Sequence, residues 1–319
     1  MGKGVRANGA TTAPLADHPP PTAMLSPALR VALEDAVTRA SGERFAIGHA
    51  TPAAGGCIHS SWVLDSGAAR YFAKVNDERF AASFEAEADG LAALGGAGIR
   101  VPRPIAHGAA EGHAFLVLEH LALGPQGDAG FRELGRSLAR LHEHRGDGFG
   151  WHRDNFIGLT PQSNARCTAW VEFWQRERLA PQLAAAARNG HRGRVQWLGE
   201  QVTAAVPWLL AGHDPAPSLL HGDLWSGNAG FLADGTPVLF DPAVYHGDAE
   251  AELAMTELFG GFPESFYEGY REVRPIAGGY RLRRLLYNLY HVLNHLNLFG
   301  EGYRGQAERI MEQLVAATS

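Results

Sequence analysis

Asp223, Asn228 and Asp241 lie close together in the segment 219–243, which reads LLHGDLWSGNAGFLADGTPVLFDPA. Asp223 follows an apolar run and Asn228 comes five residues later, a spacing at which one loop can direct both side chains into the same cavity. The rest of the segment predicts a hairpin that returns Asp241 to the same rim. A sparse set of oxygen ligands suits Mg²⁺ carried in with phosphates, because this ion keeps several waters. Asp223 would then be free to accept a proton from an attacking hydroxyl.

Each of these residues has a simpler explanation on its own. A single Asp or Asn in a loop is more often a cap or an Asx turn than a catalytic group. The pair Asp234-Gly235 is expected to be only the hairpin turn. The combination of H-G-D, an asparagine and a strand-borne aspartate is more specific than its parts. We therefore interpret Asp223, Asn228 and Asp241 as one phosphoryl-transfer constellation.

Such a site needs a positive charge for the phosphates, and lysine is rare in this chain. Among 28 Lys and Arg residues only Lys3 and Lys74 are lysines, so arginine is used wherever a generic positive charge is sufficient. Lys74 stands in the predicted strand YFAKV, where a compact point charge would meet a phosphate. The alternative is a surface lysine on an edge strand.

The helix predicted after this strand supplies a partner for the lysine. Its apolar stripe runs from Phe80 to Leu94, and Glu87 falls on that stripe, whereas Glu85 should be solvated. An acid on an apolar face is costly without a partner. The sequence therefore predicts an ion pair between Lys74 and Glu87.

A short glycine-containing loop precedes the lysine strand. The stretch TPAAGGCIHSSWVL places Gly55 and Gly56 where a backbone can cover phosphates, although an ordinary hairpin turn has the same composition. Cys57 lies in this loop. We hypothesise that it is oxidisable or forms an intermolecular disulfide, with a structural, reduced thiol as the alternative.

The chain changes character near Leu121. Before it, the pattern predicts a helix over 26–40, a second helix in ERFAASFEAEADGLAAL and strands in SSWVLDS, ARYFAKV, IRVPRPIAHG and HAFLVLEHL. After it, the periodicity is mainly helical, as in FRELGRSLARLHEH and YRLRRLLYNLYHVLNHL. We expect an α+β, bilobal protein: a disordered tail over 1–25, a small N-terminal lobe with an antiparallel sheet and one key helix over 26–121, and a larger helical lobe over 122–319.

Composition excludes several other functions. The 319 residues, of which 45% are hydrophobic, suit one large domain or two lobes with a sizeable core. A net charge of -6 without a long basic run argues against a nucleic-acid surface. No apolar run is long enough to predict a transmembrane helix, so no membrane partner is expected. Two cysteines give no disulfide framework, and we expect a cytoplasmic protein.

The chain from Gly55 through Lys74 and Glu87 to the segments LVLEHL, HGDLWSGN and FDPA resembles the kinase-like fold of protein kinases and aminoglycoside phosphotransferases. More narrowly, the chain resembles the fructosamine kinase (ketosamine-3-kinase) family over about residues 45–300. The W-S-G-N and P-Q-S-N segments are the specific features. The resemblance implies transfer of the ATP γ-phosphate to the 3-hydroxyl of ketosamines, the sugar adducts that glycation forms on amines. The unstable 3-phosphate would then decompose and free the amine.

The resemblance also implies roles for individual residues. Asp223 would be the catalytic base, Asn228 and Asp241 would hold Mg²⁺, and Lys74 would contact the α- and β-phosphates of ATP. The glycine loop would cover the phosphates from above.

The hinge that meets adenine would begin at Glu119 and continue through His120 and Leu121. H-G-D stands where protein kinases have H-R-D, and D-P-A replaces D-F-G. Activation-loop control by that phenylalanine is therefore not expected.

On the acceptor side, Trp225 lies next to the expected base and would stack on a sugar face, with a loop anchor as the alternative. Asn294 and His295 are further candidates for the acceptor pocket, although a histidine at this position is also typical of helix packing. Asp154 and Asn155 are expected to brace the catalytic loop.

The expected partners are ketosamine small molecules or glycated protein lysines, and the expected assembly is a monomer or a weak dimer. Two other functions stay open. An aminoglycoside- or choline-type phosphotransferase would share the ATP site and differ in the acceptor pocket. A non-catalytic nucleotide-binding module would normally have lost one of the ATP-site residues, and all of them are present.

Overall fold

The computed structural model describes residues 25–53 and 59–318. Most of the predicted tail and the predicted loop residues Gly55, Gly56 and Cys57 lie outside these ranges.

The N-terminal part is an antiparallel sheet between two helices. Its strands are β1 (His49–Pro52), β2 (Ser60–Asp65), β3 (Arg70–Asp77), β4 (Pro104–Ala110) and β5 (His113–Glu119), in the order β1-β2-β3-β5-β4. Helix α1 spans Pro27–Ser41 and helix α2 spans Ala81–Gly96. Helix α1 begins where the Ser26 hydroxyl accepts a hydrogen bond from the Leu29 amide, and it ends at Gly42 in the left-handed conformation.

Alternation along β3 determines what each helix covers. Ala73 and Val75 are buried in the cluster that contains α1, so the side chain between them, Lys74, points to the opposite face. That face packs against α2, whose Phe84 and Leu91 are buried with residues of β5. The period of two in the strand thus places a lysine under the helix that carries Glu87.

The C-terminal part is mainly helical. Its helices are α3 (Asp128–Leu141), α4 (Trp170–Phe173), α5 (Ala180–Arg188), α6 (Arg194–Leu209), α7 (Ala249–Thr256), α8 (Glu264–Val273), α9 (Tyr280–Phe299) and α10 (Arg304–Ala316). A π-helical segment, Trp174–Leu179, connects α4 to α5. This division confirms the predicted α+β fold with a small sheet and a larger helical part.

Three short antiparallel strand pairs lie among these helices. They are β6 (Asn155–Ile157) with β7 (Thr160–Gln162), β8 (Ser218–Leu220) with β11 (Tyr245–Gly247), and β9 (Ala229–Phe231) with β10 (Pro237–Leu239). The pair β9–β10 confirms the predicted hairpin, with Asp234 accepting a hydrogen bond from the Thr236 amide in the turn. The pair β6–β7 and helix α7 were not predicted. Helix α7 is buried on every side, so it has no apolar stripe.

Helices α3 and α8 approach closely through two glycines. A Cβ atom at Gly135 would lie 2.0 Å from the Phe266 carbonyl oxygen, and one at Gly269 would lie 2.0 Å from the Arg132 carbonyl oxygen. No side chain fits at either position without separating the helices.

We expect Gly135→Ala to lower the free energy of unfolding by about 1–3 kcal/mol, because the added methyl group meets backbone on the facing helix. Urea unfolding followed by circular dichroism measures this. Gly96→Ala is the matched control, since a Cβ atom at Gly96 meets no atom within 4 Å. Equal stability of the two variants would contradict the close packing of α3 on α8.

Candidate active site

Lys74 is the centre of a buried charge cluster between the two parts of the chain. Its ammonium lies 2.7 Å from Glu87 Oε1 and also contacts Asp241 Oδ1, while only 6% of the residue is exposed. The predicted Lys74–Glu87 ion pair is therefore present. Burial disfavours the lysine charge, but the carboxylates of Asp241 and Glu87 outweigh it and hold the pKa of Lys74 above its usual range.

Asp241 lies just after β10, at the base of the predicted hairpin. Its backbone φ is 52°, in the left-handed region that Asp tolerates better than most residues. About half of its side chain is exposed, so one face remains accessible beside Lys74. Although burial works against its charge, the Lys74 ammonium holds the pKa of Asp241 below its usual range.

The expected catalytic loop begins at His221, and its conformation requires a glycine. Gly222 has a φ of 86°, and a Cβ atom on it would lie 2.0 Å from the Ala243 carbonyl oxygen. Ala243 in turn donates its amide to the His221 carbonyl oxygen at 2.8 Å. The loop carrying Asp223 therefore packs directly against the segment that follows Asp241.

A buried glutamate stabilises this loop through hydrogen bonds to its backbone. Glu252, in α7, accepts hydrogen bonds from the backbone amides of His221 at 2.8 Å and Gly222 at 2.7 Å. It also lies 3.2 Å from Nε2 of His142, whose Nδ1 lies 2.8 Å from the Tyr270 hydroxyl. Burial lowers the pKa of His142, so the imidazole is neutral. Sequence reasoning missed Glu252, which is one of two acids, with Glu250, in a helix of mostly small and apolar residues.

Asp223 and Asn228 are adjacent, as predicted. The Asn228 amide donates to the Asp223 carbonyl oxygen at 2.9 Å and lies 3.5 Å from its Oδ2. This orientation leaves the Asn228 side-chain oxygen as an acceptor. Burial raises the pKa of Asp223 to about 7, and the negative charges of Asp241 and Glu252 act in the same direction. A carboxylate with this pKa is suited to general-base work near neutral pH.

These side chains can hold a hard cation. Asn228 offers an amide oxygen, and Asp241 offers a carboxylate that is accessible beside Lys74. Oxygen ligands in this number fit Mg²⁺ bound to phosphates. Within the described residues, the donor set therefore agrees with the one expected from the sequence.

The predicted hinge begins at Glu119, whose side chain is held by hydrogen bonds. The Glu119 carboxylate accepts from both terminal nitrogens of Arg100, at 2.9 and 2.7 Å, and from the Arg103 amide at 3.2 Å. The Glu119 amide donates to the Arg103 carbonyl oxygen at 2.9 Å. His120 and Leu121 follow directly and lead away from β5. Their expected contact with adenine stays a prediction.

The predicted acceptor residues lie in different surroundings. Trp225 is 38% exposed and its ring covers Gly227, so it remains accessible beside Asp223. Asn294 is 3% exposed, and its side chain bonds to Gln182 and to the Ile157 carbonyl oxygen. This internal bonding gives no support to the expected substrate contact of Asn294.

His295 lies among aromatic rings. Its ring centroid is 4.3 Å from Phe259, 5.1 Å from Tyr303 and 5.3 Å from Phe299, and its Nδ1 lies 2.8 Å from the His291 carbonyl oxygen. These contacts are those of the helix-packing alternative.

Asp154 and Asn155 act on a different segment from the one expected. Asp154 accepts from the Asn164 amide at 2.8 Å, and Asn155 donates to the Val244 carbonyl oxygen at 2.7 Å. Asn155 thus braces the segment after Asp241, whereas Asp154 holds the backbone that follows β7.

A two-part fold with a buried lysine-glutamate pair above an Asp-Asn-Asp set is typical of phosphotransferases with a kinase-like fold. The family model of fructosamine kinase matches residues 30–317. The chain belongs to the fructosamine kinase family. It is therefore an enzyme, a kinase that transfers phosphate from a nucleotide to a hydroxyl group.

Individual relatives agree with this family. A probable ketoamine kinase of Synechocystis sp. is 44% identical over 290 residues, which cover 90% of this chain and 97% of the relative. A chloroplastic protein-ribulosamine 3-kinase of Oryza sativa subsp. indica is 40% identical over 263 residues, which cover 81% of this chain and 76% of the relative. The crystal structure of a proposed fructosamine-3-kinase from Haemophilus somnus superposes with a TM-score of 0.82 at 30% identity, over 88% of this chain and 96% of that one.

No helix in the described ranges is long and apolar enough to cross a membrane.

We expect Asp223→Asn to stabilise the metal-free protein, and more so at pH 8 than at pH 5. The pKa of Asp223 is about 7 when folded and near 4 when unfolded, so the wild type loses stability as pH rises between these values. The amide of Asp223→Asn does not titrate. The free energy of unfolding of this variant, relative to the wild type, should therefore rise by about 1–3 kcal/mol from pH 5 to pH 8. Urea unfolding with a chelator present measures it.

Asp234→Asn is the matched control for this pH series. Asp234 lies in the exposed hairpin turn, where a hydrogen bond from the Thr236 amide lowers its pKa. The free energy of unfolding of Asp234→Asn, relative to the wild type, should not rise between pH 5 and pH 8. A constant difference between Asp223→Asn and the wild type from pH 5 to pH 8 would contradict the raised pKa of Asp223.

Proposed function

We propose that this protein is an ATP- and Mg²⁺-dependent kinase that phosphorylates the 3-hydroxyl of ketosamines and thereby leads to deglycation of amines. The observation that carries the proposal is that Lys74 contacts Asp241 and Asn228 contacts Asp223, with the Phe240 amide bonded to the Asn228 carbonyl oxygen, in a chain of the fructosamine kinase family.

The proposed chemistry is positioning and charge compensation. Asp223 orients the acceptor hydroxyl and accepts its proton, for which its raised pKa is suited. Lys74, held by Glu87, contacts the nucleotide phosphates. Asn228 and Asp241 would hold Mg²⁺, which offsets the negative charge of the phosphates when bound.

The proposed acceptor is a ribulosamine or fructosamine, either free or on a protein lysine. The names of the relatives, ketoamine kinase and protein-ribulosamine 3-kinase, support this class. Trp225 supports it too, because an exposed indole two residues from the proposed base can stack on the apolar face of a sugar.

The direct test is phosphorylation of a panel with ATP and Mg²⁺: ribulosyl-lysine, fructosyl-lysine, kanamycin and choline, with phosphorus NMR of the products. We expect a 3-phosphate on a ketosamine that decays to free lysine. Asp223→Asn should reduce turnover by roughly 10²–10⁴-fold while ATP binding is retained. Turnover of kanamycin or choline alone would reject the proposed acceptor but keep the ATP site.

Lys74→Ala should lower kcat/KM by roughly 10²–10³-fold, because the phosphates lose a preorganised charge. Steady-state kinetics with ATP as the varied substrate measure this loss. Arg79→Ala removes an exposed cation just after the same strand and serves as the control. An equal, small effect of both substitutions would show that Lys74 acts only as a generic positive charge.

A further inference from the structure

Arg178 is a fully buried arginine that no carboxylate neutralises among the described residues. It lies in the π-helical segment, 0% exposed, and donates to the Ser163 carbonyl oxygen at 2.6 Å and to Asn164 Oδ1 at 2.8 Å. Its guanidinium lies 4.0 Å from the ring centroid of Tyr245 and 4.6 Å from that of Phe173. Burying a cation in this way is costly, so its position calls for an explanation beyond packing.

A chain of amides leads from this arginine to the segment after Asp241. Arg178 donates to Asn164, the Asn164 amide donates to Asn155 Oδ1 at 3.0 Å, and the Asn155 amide donates to the Val244 carbonyl oxygen at 2.7 Å. Both asparagines are 3% exposed or less. Every bond in this chain therefore lies in the interior, where hydrogen bonds strengthen one another.

The direction of the chain is determined by its two ends. A guanidinium can only donate and a backbone carbonyl can only accept. Each asparagine between them must therefore turn its oxygen towards Arg178 and its amide nitrogen towards Val244. An ionised aspartate at position 155 would have the same shape but could only accept.

Two further contacts reach the same segment. Tyr290 donates its hydroxyl to Gln162 Oε1 at 2.6 Å, and the Gln162 amide bonds to Asn155 at 2.8 Å and to the Ala243 carbonyl oxygen at 3.3 Å. The Tyr245 ring is stacked on Arg178. The same ring would lie 3.4 Å from a Cβ atom placed on Gly222, so it is close to that glycine. The arginine is thus connected to both segments of the active site.

We propose that Arg178 is a positioning residue for metal binding: through Asn164 and Asn155 it fixes the backbone at Val244 and so the orientation of Asp241. Asp241 needs such support, because its left-handed backbone is held only by its surroundings. The inference rests on the proposed function in one respect, the assignment of Asp241 as a metal ligand.

The test is direct binding of Mn²⁺ in the presence of ADP, measured by electron paramagnetic resonance. We expect Arg178→Lys and Asn155→Ala to weaken Mn²⁺ binding by about 10-fold or more, the effect typical of residues that orient metal ligands. Binding of ADP without metal should not change. A purely structural role would lower thermal stability and leave the Mn²⁺ affinity unaltered.

Two controls are available in the same region. Arg176→Lys changes an exposed arginine of the same π-helical segment. Gln175→Ala removes a partly buried amide that bonds to the Thr203 carbonyl oxygen at 2.7 Å. Both should bind Mn²⁺ as the wild type does, which separates loss of this network from general destabilisation.

The outcomes are distinct. Folded Arg178→Lys and Asn155→Ala proteins with wild-type Mn²⁺ affinity would overturn the proposal, and if Arg178→Lys does not fold, Asn155→Ala decides alone. A wild type that binds no Mn²⁺ with ADP would also overturn it. A wild type that binds Mn²⁺ and ADP but phosphorylates no ketosamine would reject the proposed function, while weaker Mn²⁺ binding by the variants would still support the positioning role.

Discussion

The ion pairs of the buried Lys74 with Glu87 and Asp241 are the interaction on which the rest of this structure depends. One ammonium contacts Glu87 from the helix above and Asp241 from the hairpin below, so the sheet, α2 and the helical part meet at a single buried cation. A lysine at this depth is stable only when its partners are in place. The position of α2 on the sheet and the position of the hairpin are therefore parts of one electrostatic arrangement.

Three carboxylates lie close together below this lysine, and each has a different environment. Asp241 is paired with the lysine, and Glu252 is surrounded by two backbone amides and a neutral histidine. Among the residues that the structure describes, the side-chain donor beside the Asp223 carboxylate is the Asn228 amide. The pKa of Asp223 is raised while the pKa values of Asp241 and Glu252 are lowered, because the protein supplies donors or cations to two of the three. Differences of this kind are how neighbouring acids acquire different roles.

The sequence predicted the parts of the site that depend on local patterns. The hairpin carrying Asp241, the proximity of Asp223 to Asn228 and the Lys74–Glu87 pair follow from turn residues, loop spacing and the periods of strand and helix. Glu252 and Arg178, which support the site, were not predicted, because their contacts join distant segments. Glu252 lies on a helix without an apolar stripe, and Arg178 reads as one more surface arginine in the run WQRERL.

The π-helical segment has a consequence for the length of the chain. Each residue in an α-helix turns the chain by about 100°, and a π-helical turn contains one residue more than an α-helical turn. Within this segment Arg178 faces the interior, while Arg176 faces solvent. Deleting one residue between Trp174 and Arg178 would shorten this turn and change the direction of the guanidinium relative to Asn164. The number of residues in this stretch is therefore a requirement of the fold in its own right, separate from the identity of the arginine.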